Sequence, residues 1–165
     1  MEKAKRVSRI LLAAGACLLS VSAARADSLD EQRNRYAQIK QAWDKRQMDV
    51  VQQMLPGLKD YPLYPYLEYR QITDDLQNLP AVTVSNFIRA NPTLPPARTL
   101  QSRFVNELAR REDWRGLLAF SPEKPAATEA QCNFYSAKWN TGQPQDAWDW
   151  AQTPSLTGKS QPNAC

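Results

Sequence analysis

The stretch Tyr61-Pro62-Leu63-Tyr64-Pro65-Tyr66-Leu67-Glu68-Tyr69-Arg70 holds four of the six tyrosines of the chain in ten residues. Its two prolines fix the backbone, and each pushes the tyrosine before it out of the α region. Pro65 suits the first turn of a helix, where a missing N–H costs nothing. The stretch therefore reads as an aromatic hinge that closes one pair of helices and opens the next.

Short helical patterns lie on both sides of it. Upstream, Ser28 and Glu31 have capping-box spacing, and Leu29, Tyr36, Ile39 and Trp43 follow at helical intervals until Arg46. Met48, Val50, Val51, Met54 and Leu55 predict a second helix ended by Pro56-Gly57. Downstream, Tyr66, Leu67, Ile72, Leu76 and Leu79 predict a third, closed by Pro80, and Val84, Phe87 and Ile88 a fourth, closed by Asn91-Pro92. Pro95-Pro96 opens a fifth along Leu100, Phe104 and Leu108; a break at Glu112-Asp113 leads to Trp114, Leu117, Leu118 and Phe120. Cys132, Tyr135 and Trp139 mark a seventh helix ended by Gly142, and Ala147, Trp148 and Ala151 an eighth from Pro144, stopped by Thr153-Pro154. Only Val82-Thr83-Val84 resembles a strand, and it is too short to start a sheet.

The second members of the pairs begin near Met48, Val82, Trp114 and Ala147, at intervals of 34, 32 and 33 residues. That is the period of helix–turn–helix solenoids, in which each pair buries its apolar stripe only by stacking on its neighbours. The predicted class is all-α, a superhelix of stacked antiparallel helix pairs of the TPR-like kind.

Residues 1–26 are set apart. Lys3, Lys5, Arg6 and Arg9 precede an apolar run from Ile10 to Val21, and Ala24-Arg25-Ala26 is a small-x-small cleavage site. This is the pattern of a secretory signal peptide, with residues 27–165 as the mature part. The run is shorter than the ~20 residues of a membrane span. A lipid anchor on Cys17 is the alternative, with Ala14 where lipoproteins usually carry Leu. Of 21 basic and 17 acidic residues, five basic and one acidic lie in residues 1–26. The mature part is thus neutral, and electrostatic binding to nucleic acid is not expected. Export also implies an oxidising compartment, in which Cys132 and Cys165 form an even pair expected to bond, two free thiols being the alternative.

The chain has no histidine, which excludes Ser–His catalysis and HExxH zinc sites. The two cysteines have no further ligands at zinc spacing, and there is no Gly-rich phosphate loop. No metal or other cofactor is expected. Carboxylates are the remaining acid–base candidates: Glu68, Asp74-Asp75 and Glu112-Asp113. Adjacent helical residues point about 100° apart, so these read as caps and solvated faces, and no catalytic residue is assigned. Aromatic rings could stack on sugars. Trp148 and Trp150 cannot both face inward from one helix, which makes Trp150, with Tyr64 of the hinge, the candidate glycan contact.

The hinge string, Phe87-Ile88-Arg89-Ala90-Asn91-Pro92-Thr93-Leu94-Pro95-Pro96-Ala97-Arg98, the run Phe104 to Trp114 and the end Leu156 to Cys165 resemble the N-terminal region of the soluble lytic murein transglycosylases. The resemblance implies a periplasmic enzyme of much greater length that cleaves the β-1,4 bond between N-acetylmuramic acid and N-acetylglucosamine, leaving a 1,6-anhydro end. It implies an α-superhelix that helps form a ring, and a lysozyme-like C-terminal domain that carries the catalytic glutamate. The Glu-Ser and Gly-Leu-Met-Gln motifs of that domain have no counterpart here, so no catalytic residue carries over. The implied role is a scaffold that guides peptidoglycan glycan strands, inactive alone, with the C-terminal domains and other cell-wall enzymes as partners. A periplasmic protein–protein adaptor is the alternative, since helical-repeat grooves also bind peptides.

Overall fold

The helix that begins at Pro95 shows why this chain folds as it does. Pro95 and Pro96 occupy its first turn, and Leu100, Phe104 and Leu108 then recur every four residues, all buried. Val105 and Ala109 widen the stripe, so this helix has partners on two sides.

The computed structural model describes residues 28–155, with side chains to residue 152, and every regular element among them is helical. In chain order these are α1 (28–44), α2 (Met48–Met54), a 3₁₀ turn (Leu55–Leu58), α3 (Tyr64–Asp74), a second 3₁₀ turn (Leu76–Asn78), α4 (Ala81–Ala90), α5 (Pro95–Arg110), α6 (Trp114–Phe120), α7 (Thr128–Asn140) and α8 (Pro144–Ser155). The signal segment and Cys165 lie outside the described residues. So does whatever caps α1, because residue 28 is already helical.

The chain divides into two units at the hinge, one ending at Tyr64 and the other starting at Pro65. In the first, Ile39, Trp43, Val51, Leu58 and Tyr61 are buried, and the Tyr36 and Tyr61 rings meet with centroids 5.5 Å apart. In the second, α4 packs on both helices of the pair that follows it, and α5 packs on α6 and on α7. Contact between corresponding helices of successive pairs is the mark of a stack rather than of a closed bundle. The second helices begin at Met48, Ala81, Trp114 and Pro144, intervals of 33, 33 and 30 residues, close to the predicted period.

One turn recurs at three of the pair connections. The α1–α2, α5–α6 and α7–α8 connections each place one residue in the left-handed region: Arg46 (φ 58°), Glu112 (φ 58°) and Gly142 (φ 87°). Each also makes the same two bonds. Around Glu112 these are Glu112 N–H to the Ala109 carbonyl (2.9 Å) and Asp113 N–H to the Leu108 carbonyl (3.0 Å). Arg46 and Gln47 repeat them on Trp43 and Ala42, and Gly142 and Gln143 on Trp139 and Lys138. This is the Schellman cap. Only Gly142 is suited to it without strain. A Cβ at Gly142 would meet nothing within 4 Å, so Gly142→Ala should cost about 1 kcal/mol through the backbone alone. Glu112→Gly should be neutral or stabilise by up to about 1 kcal/mol. Urea unfolding of both variants measures the pair.

Four sequence expectations shift. The third helix stops at Asp74 instead of running to Pro80. Asp75 leaves helical geometry (φ −123°, ψ 23°) and its carboxylate accepts from the Asn78 amide at 2.6 Å, a local bond that competes with the helix. The second helix passes through Pro56-Gly57 as a 3₁₀ turn. In α7 the buried stripe is Ala130, Phe134 and Ala137, with Cys132 beside it, while Trp139 is 56% exposed. Small residues there let neighbouring helices approach, and the large rings turn outward. Finally, α8 continues past Thr153-Pro154 to Ser155.

Candidate functional site

Two grooves within the second unit bear on function. The first runs between α7 and α8. Its floor is small, made of Cys132, Ser136, Ala147 and Ala151, and its walls are Tyr135, Trp139, Trp148 and Trp150, around about 230 Å³. The helical offset divides the two tryptophans of α8 as it must. Trp150 leans back on Tyr135, rings parallel to within 15° and centroids 4.6 Å apart, while Trp148 is the more open at 58% exposure. Lys138 on α7 reaches Asp146 (3.2 Å) and Gln143 (2.8 Å) across the turn, tying the two helices together. The result is an aromatic platform with two exposed indoles, a surface suited to the apolar face of a sugar ring.

The second groove runs between α3 and α4 and encloses about 550 Å³. Ile72, Leu79, Phe87 and Ala90 form its apolar part; Glu68, Gln71, Asp75, Thr83, Asn86 and Asn91 supply polar atoms. No Lys or Arg lines it.

The carboxylates singled out in the sequence do not all come together. Glu68 and Asp75 share the α3–α4 groove. Asp113 caps α6, accepting the Gly116 N–H at 2.9 Å. Glu112 sits exposed in the left-handed turn. Of the proposed glycan contacts, Trp150 lines the α7–α8 groove, whereas Tyr64, half-buried at the start of α3, lines neither. Among the described residues no group of three His, Cys, Asp or Glu could hold a metal ion, and no helix is long and apolar enough to cross a membrane.

One carboxylate whose acidity is clearly shifted was not among those candidates. Glu107 on α5 accepts two hydrogen bonds from Arg110 (2.7 and 2.8 Å) and one from Arg111 (2.9 Å). Arg110 first, with Arg111, holds its carboxyl down at about 2 against the partial burial that opposes them. Such a group stays ionised and serves as an anchor; it is the opposite of a general acid kept protonated. Its signal was visible in the spacing, two arginines three and four residues on.

Comparison with known proteins gives a consistent picture. No family profile matches the chain. The soluble lytic murein transglycosylase of Escherichia coli is 82% identical over 166 aligned residues, all of this chain and 26% of the relative. That of Salmonella typhimurium is 75% identical over the same share. The chain therefore spans about a quarter of the length of these relatives. The crystal structure of the 70 kDa soluble lytic transglycosylase from Escherichia coli superposes with a TM-score of 0.81 at 85% identity, covering 83% of this chain and 22% of that one; so does its complex with bulgecin A. Over its whole length, then, this chain is a homologue of the N-terminal portion of the soluble lytic murein transglycosylases.

Proposed function

We propose that this chain is the helical scaffold and glycan-guiding region of a periplasmic lytic transglycosylase, exported by residues 1–26 and unable to cleave peptidoglycan alone. The observation that carries the reading is the identity of 82% across the entire chain to a protein named for its action on murein. The exposed indoles between α7 and α8 supply a place for the strand to lie. Catalysis is assigned to the remainder of the longer protein, because the carboxylates here are caps, rims or ion-paired anchors.

Co-sedimentation of the chain with purified murein sacculi tests the proposal. The expected result is retention that falls roughly tenfold or more in Trp148→Ala and Trp150→Ala, since each removes an anchor of about 1–2 kcal/mol. Trp148→Ala is the cleaner of the two, because Trp150 also supports Tyr135. Retention no higher than that of serum albumin would defeat the glycan-guiding part. Release of anhydromuropeptides by the chain alone would defeat the inactive-scaffold part.

A further inference from the structure

The α3–α4 groove is not accounted for by the aromatic platform, and its chemistry differs. We infer that it is a second carbohydrate subsite, selective for a neutral acetamido sugar over a carboxylate-bearing one; this rests on the glycan-guiding reading above.

Three observations carry it. The volume, about 550 Å³, lies inside the ~300–1,000 Å³ range of small-ligand sites. The polar lining is dominated by planar groups with both donors and acceptors at hand. Asn86 accepts from Arg89 at its side-chain oxygen (2.5 Å), which leaves its amide hydrogens for a ligand. Asn91 gives an amide hydrogen to the Phe87 carbonyl (2.9 Å), which leaves its oxygen. Asp75 takes one bond, at one oxygen, from Asn78 (2.6 Å), and a carboxylate accepts several. Gln71 on α3 and Thr83 on α4 complete an arrangement that can both donate to and accept from vicinal hydroxyls and an acetamide. Leu79, Phe87 and Ala90 offer apolar surface for a ring face and an acetyl methyl group. The third observation is the sign of the charge. Glu68 and Asp75 line the groove and no Lys or Arg does. The guanidiniums of Arg89 and Arg111 that bond its lining are engaged on Asn86 Oδ1 and on backbone carbonyls, so an anionic ligand would meet carboxylates first.

The test uses chitotriose, a neutral N-acetylglucosamine trimer, titrated into the isotopically labelled chain and followed by amide chemical shifts. Trigalacturonate serves as the anionic comparison. The expected result is saturable shifts at Gln71, Asp75, Thr83, Asn86 and Asn91 with chitotriose and none there with trigalacturonate. Gln71→Ala and Asn86→Ala, both at exposed positions, should weaken the interaction about tenfold with an unchanged circular dichroism spectrum. Thr83→Val provides a second variant that keeps helix and volume. Equal shifts with both trimers, or unaltered binding by all three variants, would overturn the subsite. Shifts confined to the α7–α8 groove would overturn it too, yet leave the glycan-guiding reading standing.

Discussion

Replacing Arg111 with alanine should lower stability by about 2–4 kcal/mol, a fall of several degrees in midpoint. The reason lies in the one pair connection that lacks the left-handed cap. Between α3 and α4 the carbonyls of Leu76 and Leu79 have no Schellman partner. Arg111, from the turn of the next pair, supplies one: its guanidinium donates to Leu76 O at 2.6 Å and Leu79 O at 3.1 Å. It also bonds Glu107 and lies 5.4 Å from the Phe104 ring centroid. Truncation would take the charge-assisted partner from two carbonyls, of which Leu76 O keeps only a long bond from the Leu79 N–H (3.4 Å), and would remove one of the partners of a carboxylate that is 12% exposed. Arg111→Lys should recover only part of the loss, since an ammonium lacks the planar fork. Arg110→Ala, at a side chain 64% exposed, should cost less than Arg111→Ala, because it strips hydrogen bonds from Glu107 but no backbone carbonyl. Thermal melts of the three variants separate these cases.

The same cluster sets an acid limit. Glu107 titrates near 2 in the folded protein, below its ordinary 4.5. A depressed folded value means stabilisation that is complete above the unfolded value and is lost as pH falls. The loss runs from about 4.5 down to about 2, and amounts to about 1–2 kcal/mol once the solvent around Arg110 is allowed for. Glu107→Gln should therefore be less stable at pH 7 and show a flatter dependence of midpoint on pH below 5.

What could be read in the sequence follows from how local each signal is. Proline at helix starts, the four-residue spacing along Leu100, Phe104 and Leu108, and the glycine at 142 all act within one or two turns, and they placed the helices and their period. The turns at Arg46 and Glu112 were visible as breaks but not as left-handed caps, because neither residue advertises a positive φ. The role of Arg111 was illegible, since its carbonyl partners lie 35 and 32 residues upstream. In α7 the large rings drew attention from the alanines, although a close helix contact selects the small residue. Trp150 entered the candidate site through its two-residue offset from Trp148. The α3–α4 groove could not, because its lining is assembled across a turn whose geometry depends on Asp75, Asn78 and Arg111.

The second large effect concerns Cys132, which is 2% exposed on α7. We propose that in the exported chain it bonds Cys165, a residue outside those described. The bond would close a loop of about 33 residues, which in the chain-entropy description stabilises by roughly 3–4 kcal/mol. Reduction of the chain lacking residues 1–26 should then lower the midpoint by several degrees, and Cys165→Ser should reproduce the loss without reductant. Cys132→Ser would be a poorer test, because it also places a hydroxyl in an apolar site. The bond would tie the end of the sequence to the helix that carries Tyr135, one wall of the aromatic groove. Reduction should therefore weaken sacculus binding as well as stability, more than Gly142→Ala does at the adjacent turn. Alkylation of both thiols in the unreduced protein, seen as a mass increase of two adducts, would rule the bond out and leave α8 and its tryptophans to the support of packing and of the Lys138 bonds.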